Sequence, residues 1–274
     1  MEINHYKNEI LQISRIIDMA QEGVTQPVIC QMNTGIVAVV KYPHGRFGNK
    51  ILINEYVGSC IADILHINMP SYGLTTLDDS VFENLDNEDI LEFIDSHNSG
   101  LCFFSEYIHN TTPCLSQHIK QVATAKDLTI IFLDYLLNNY DRHEGNLLFD
   151  NGNRVIYSID YSHIISKGTN TVDIQMDSII SQQLYANNAW IYNELLSLDC
   201  ITDTVIDDVK VCIKELLTDV ELYNIKSLIP REWIFYYEQY LDNMFRILSI
   251  RLSKLDEIAD LLKKERRKCH EKKD

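Results

Sequence analysis

An apolar run of ten residues, Leu-Thr-Ile-Ile-Phe-Leu-Asp-Tyr-Leu-Leu from Leu128 to Leu137, breaks off into a polar octet, Asn-Tyr-Asp-Arg-His-Glu-Gly-Asn, at residues 139–146. Two strand-like runs follow at residues 147–150 and 155–160, joined by a short turn. Few folds accommodate this combination, because the helix must be sealed by neighbouring elements while the loop and strand ends stay reachable. Such a geometry can bring Asp141, Asn146 and Asp160 around one small volume. Three oxygen-bearing side chains there suit Mg²⁺ and a nucleotide phosphate, since hard cations take carboxylate and amide oxygens.

The remainder of the chain divides by secondary-structure class. Residues 28–32 and 36–40 read as strands joined by Asn33, Thr34 and Gly35, and residues 100–108 read as a further strand. Residues 8–20 carry Ile10, Leu11, Ile13, Ile16, Ile17 and Met19 at a spacing that predicts an amphipathic helix. A second helix is expected over residues 51–66, and one or two short acidic helices over 78–95. The turn-rich Asn-Thr-Thr-Pro at 110–113 marks the change of class, placing a sheet-rich part at 1–110 and a mainly helical part at 111–274. Residues 162–177 have the composition of an exposed surface segment, with helices expected over 178–198, 204–217 and 231–264. Trp233, Phe235, Tyr236, Tyr237, Tyr240 and Phe245 crowd that last stretch and read as core packing against the helical part. The expected fold class is α+β, with a small β-rich N-lobe and a larger, mainly helical C-lobe.

Lys41 ends a β-branched strand run, where its ammonium can sit beside a ligand's phosphates or simply blunt a sheet edge. Glu55, in the first turns of the helix that follows, either complements the helix dipole or holds Lys41 in place. The strand at 100–108 is a plain sheet strand, or one that offers backbone groups to a purine. Arg142 and His143 read as loop-fixing hydrogen-bonding residues rather than as metal ligands.

Charge and composition exclude other classes. A net charge of -16 argues against broad nucleic-acid binding and against an anionic membrane surface. The C-terminal basic run at 263–268 reads as a solvated helix end. Seven cysteines without a C-x-x-C pair read as reduced, buried thiols of a cytoplasmic protein. No window has the apolar length of a membrane span, and the first residues have no secretory pattern.

Asp141 and Asn146 have the Asp-x-x-x-x-Asn spacing of a kinase catalytic loop. With Asp160 behind the hairpin and Lys41 and Glu55 upstream, the chain resembles the HipA-like kinases over roughly residues 20–165 and, more distantly, the phosphatidylinositol kinases. The resemblance implies a bilobal protein-kinase-like fold that uses ATP and Mg²⁺. It implies Asp141 as catalytic base, Asn146 and Asp160 as metal ligands, Lys41 as the α/β-phosphate contact and Glu55 as its ion-pair partner. It further implies that the backbone of Glu106, Tyr107 and Ile108 holds adenine and that residues 23–27 cover the phosphates, with Gly23 in that loop and Thr25 and Gln26 nearest them. Neither a G-x-G-x-x-G loop nor an Ala-Pro-Glu is present, and Asp160 is followed by Tyr161 and Ser162 rather than by Phe and Gly. The implied activity is transfer of the γ-phosphate to a Ser or Thr hydroxyl of a protein, the chain itself included. Two alternatives stand beside it: a small-molecule or lipid-headgroup acceptor on the same fold, and a nucleotide-binding regulator without transferase activity. The implied partners are a protein substrate and an antitoxin-type protein, without direct nucleic-acid or membrane contact.

Overall fold

The structure, a computed structural model, describes residues 6–20, 26–43, 48–78, 80–81, 90, 94, 99–165 and 188–271. The chain forms two compact units, each assembled from discontinuous pieces. Unit 1 comprises Met1–Tyr56, Pro70–His109 and Ile229–Tyr237; unit 2 comprises Val57–Met69, Asn110–Leu228 and Glu238–Asp274.

Unit 1 is built on a closed five-stranded barrel of β1 (Tyr6–Met19), β2 (Val28–Met32), β3 (Val37–Lys41), β5 (Gly100–Glu106) and β4 (Tyr72–Leu77), in that spatial order. All neighbours run antiparallel except β1 and β4, which are parallel. Closure leaves no sheet edge to template association. Val28, Cys30 and Met32 alternate inward along β2 to meet Ala38 and Val40 of β3. Burial pushes the Cys30 thiol up to about 12, so it packs as a small apolar group.

Strand β1 corrects the helix expected over residues 8–20. Its register shifts between Ile13 and Arg15 and again between Ile16 and Asp18, and such bulges insert extra residues into the strand. They stretch the two-residue alternation into steps of three, so Leu11, Ile13, Ile16 and Met19 imitate one face of a helix while lying on one face of a strand. Ile10 and Ile17, which the helical reading counted as apolar face, are 56% and 44% exposed.

Helix α1 (Lys50–Ile64) is buried from Lys50 to Asp63, its polar Asn54, Glu55 and Asp63 included. In unit 2 the break expected at 110–113 contains a short strand, β6 (Thr111–Pro113), antiparallel to β7 (Leu147–Asp150), which pairs in turn with β8 (Val155–Ser158). Pro113 is tolerated because β6 is an edge strand that needs no further donor. Among the helices of this unit are α2 (Ser116–Val122), α3 (Leu128–Leu137), α4 (Ala189–Leu196), α5 (Asp203–Leu216) and α6 (Asp219–Leu228).

The long helix expected over 231–264 is broken into α7 (Arg231–Ile234), α8 (Glu238–Ser253) and α9 (Leu255–Glu271). The aromatic cluster accordingly divides. Trp233 packs in unit 1, donating from Nε1 to the Leu101 carbonyl at 2.9 Å with its ring edge-on to Tyr56, whereas Phe235 and Tyr236 are 74% and 86% exposed. Cys200 and Cys212 are exposed, against the expectation of buried thiols. Most of the acidic stretch at 78–95, residues 166–177 of the polar segment and residues 178–187 of the helix expected at 178–198 lie outside the described residues.

Candidate active site

Every residue of α3 is buried, including Asp134 at 0% exposure. A carboxylate inside an apolar helix must be matched by donors. Arg142 supplies a fork: its Nη2 donates to Asp134 Oδ1 at 2.9 Å and its Nε to Oδ2 at 3.1 Å. Asn139 Nδ2 donates to the same carboxylate at 2.9 Å, and the Tyr192 hydroxyl donates to its Oδ2 at 3.2 Å. Burial pushes the Asp134 carboxyl up, while Arg142, Asn139 and Tyr192 pull it back. Burial lowers the Arg142 guanidinium, but the facing Asp134 carboxylate outweighs it and keeps the group charged.

The third guanidinium nitrogen extends this anchor to the loop and the strand end. Arg142 Nη1 donates to the carbonyls of Asn146 at 2.8 Å and Ile159 at 3.0 Å, and the Ile159 amide donates to the Asn146 carbonyl at 3.1 Å. The loop bearing Asp141 and Asn146 is thereby tied to the residue that precedes Asp160. Asn138 ends α3 in the left-handed region, a helix stop that asparagine tolerates. The Asn139 side chain accepts from the Asp141 amide at 3.2 Å, and His143 Nδ1 accepts from the Gly145 amide at 3.0 Å. Arg142 and His143 thus hold the loop through hydrogen bonds.

Asn146 Nδ2 donates to the Asp141 carbonyl at 2.7 Å, which turns its Oδ1 the other way. The Asp141 carboxylate has no hydrogen-bond or ion-pair partner among the described residues. Asp160 sits at φ 58°, in the left-handed region where short polar side chains are the usual non-glycine occupants. Its Oδ1 accepts from the Ser162 amide at 3.1 Å and hydroxyl at 2.5 Å, closing a tight turn. Tyr161, buried in that turn, bonds Ser158 Oγ at 2.9 Å and lies under the Arg142 guanidinium at 5.5 Å. Its Cβ sits where a Cβ at Gly58 of α1 would come within 2.4 Å, so only glycine admits the turn.

In unit 1, Lys41 closes β3 and its Nζ meets Glu55 Oε1 at 2.5 Å, with the two side chains 10% and 3% exposed. The amides of Glu106 and Tyr107 donate within the unit to the carbonyls of Ser71 and Val37. Gln26 has φ 43°, and its carbonyl accepts from the Tyr42 hydroxyl at 3.0 Å. Gly23 and Thr25 lie outside the described residues.

Asp134, Asn139, Asn188 and Tyr192 went unnoticed in the sequence. One signal existed: a lone carboxylate in an otherwise apolar helix demands a buried cation, and Arg142 stands eight positions on. Nothing local announces Asn188, which donates to the Asn139 carbonyl from 49 residues away.

No group of three His, Cys, Asp or Glu side chains arranged for a metal ion occurs among the described residues. An amide oxygen and a carboxylate, held near each other by the Arg142 and Ile159 bridges, fit a hard cation that also takes phosphate oxygens.

Residues 13–260 match the model of a family described as HipA-like kinase. Among solved structures, the chain is similar to a Helicobacter pylori proinflammatory kinase, CtkA, at 13% identity and a TM-score of 0.50, covering 91% of this chain and 99% of that one. It is also similar to the Golgi casein kinase with Mn and ADP bound, at 14% identity and a TM-score of 0.49, covering 93% and 72%. No curated protein matches the sequence. The first likeness is one of fold, and the fold is that of a kinase.

Proposed function

The chain belongs to the HipA-like kinase family, and on that premise we propose that it uses ATP and Mg²⁺ to phosphorylate a Ser or Thr hydroxyl of a protein, its own chain included. The observation that carries this reading is the Arg142 bridge, which joins the loop of Asp141 and Asn146 to the strand end of Asp160. Asn146 Oδ1 and the Asp160 carboxylate would hold the metal, which when bound neutralises charge on the phosphate oxygens. Asp141, whose carboxylate has no partner among the described residues, orients the acceptor hydroxyl and takes its proton. Glu55 holds the Lys41 ammonium ready for the α- and β-phosphates. The adenine contact is assigned to the backbone of residues 106–108. The amides of Glu106 and Tyr107 donate to the carbonyls of Ser71 and Val37, which fixes the course of that backbone. The phosphate cover is assigned to residues 23–26.

The acidic chain favours a basic or neutral protein acceptor over a phospholipid surface. Among the described residues no helix is long and apolar enough to cross a membrane. Isothermal titration with Mg²⁺-ATP, paired with ADP release, tests the assignment of roles. Asp160→Asn is expected to lose Mg²⁺-dependent binding, and Asp141→Asn to keep binding while losing at least about 100-fold in turnover. Wild-type turnover in both variants would sink the assignment.

A further inference from the structure

Unit 2 carries a groove of about 400 Å³ between α5, the C-terminal end of α1 and the start of α3. One wall is a stripe on α5: Val205, Val209, Cys212 and Leu216. Their spacing of four, three and four is that of the contact seam of a helix that packs against another helix. The neighbouring Ile206 and Ile213 are buried, Ile213 also lining the groove, so the apolar surface of α5 continues from the core into the groove. Over eleven residues the open stripe runs about 16 Å, three turns of helix. Leu65 and Thr129 form the facing wall, with the exposed side chains of Lys126, a cation, and His66 on its lip. The α5 lip is acidic: exposed Asp208 and Glu215, seven residues apart, flank the stripe on the side away from the core.

The charges decide what fits. Two copies pairing α5 to α5 about a two-fold axis would set Asp208 and Glu215 against their own counterparts, on chains that each carry -16. A simple anionic amphiphile would meet the acidic lip as well as the cationic one. We propose that the groove docks an amphipathic helix of a different protein, with apolar side chains at the same spacing, bases along the flank that faces Asp208 and Glu215, and acids along the flank that faces Lys126 and His66. Docking of this kind needs no phosphoryl transfer, and its test does not read any.

Cys212 lies in the groove and is exposed, and Cys200 is exposed outside it, so one protein holds both probe and control. The probe is a synthetic helix of about 14 residues with leucines at that spacing, lysines on one flank and glutamates on the other. Added to the full chain, it is expected to slow alkylation of Cys212 by N-ethylmaleimide at least about fivefold while leaving Cys200 unchanged. A peptide with its flanks exchanged is expected to protect about tenfold less well. The triply reversed chain Lys126→Glu/Asp208→Lys/Glu215→Lys, altered only at exposed positions, is expected to invert that preference. Four results overturn the proposal: no protection, equal protection by both peptides, protection by dodecanoate but not by peptide, or protection that grows with the chain's own concentration alone.

Discussion

Arg142 holds together groups that come from four places in unit 2: the middle of α3, the loop, the end of β8 and, through Asp134, Tyr192 of α4. Replacing it with methionine keeps much of the volume but leaves a carboxylate at 0% exposure without its cation and the Ile159 carbonyl without its guanidinium donor. Loss of one partner of a buried pair costs about 3–5 kcal/mol, so Arg142→Met is expected to lower unfolding stability in urea by that order. Arg142→Lys keeps the charge and loses the fork, and should recover little of the loss. A fall below about 1 kcal/mol for Arg142→Met would show that the bridge does not order the loop. The polar loop and the strand end that carry Asp141, Asn146 and Asp160 were legible in the sequence, and the structure ties the two together. Their anchor was not legible, since what distinguishes Asp134 is its surroundings, and these are assembled from residues far apart in sequence.

Among the elements, α1 illustrates how little room the Asp160 turn has. Alanine at Gly58 would gain about 1 kcal/mol of helix propensity. The added Cβ would stand 2.4 Å from Tyr161 Cβ, where no flexible side-chain end can give way. Overpacking of this kind costs about 1–3 kcal/mol, so Gly58→Ala is expected to lower the melting temperature and weaken Mg²⁺-nucleotide binding together. A more stable variant with unchanged binding would contradict the packing described. Between α5 and α9, Asp207 meets Lys263 at 2.7 Å and Asp203 meets Arg267 at 2.7 Å, while Asp256 of α9 meets Lys214 of α5 at 2.6 Å. Hydrogen bonds from Lys263, Arg267 and Lys214 respectively lead in holding these carboxyls below the usual 3.8. Because their folded values are depressed, their contribution is present above 3.8 and disappears as the pH falls through the lowered folded values. Screening acts on the same exposed pairs. Protection of the α9 amides, relative to their intrinsic exchange rates, is therefore expected to fall in strong acid and, at neutral pH, modestly in molar salt; equal protection in low and high salt would remove the ion pairs from the account. The same scale explains the misreading of β1: bulges are set by the partner strand, and from the sequence alone their three-residue steps cannot be told from a helical face.

At the scale of the molecule, each unit returns to the chain for distant pieces, and residues 229–237 join the barrel unit through Trp233. Sequence patterns report neighbours within a few residues, so the recruitment of Trp233 to the barrel unit was not visible in them. The family is shown by a match across residues 13–260, and the two halves of the chemistry it implies sit in different units: the Lys41 and Glu55 pair in one, Asp141, Asn146 and Asp160 in the other. The measurement that bears most directly on the proposed activity is transfer of γ-labelled phosphate from Mg²⁺-ATP by the full chain, alone and with a basic, Ser/Thr-rich protein acceptor, followed by mapping of the labelled residue. Label on serine or threonine that disappears with Asp141→Asn is the expected result. Nucleotide binding with no label on any protein residue, from a wild-type chain that is folded, would contradict it.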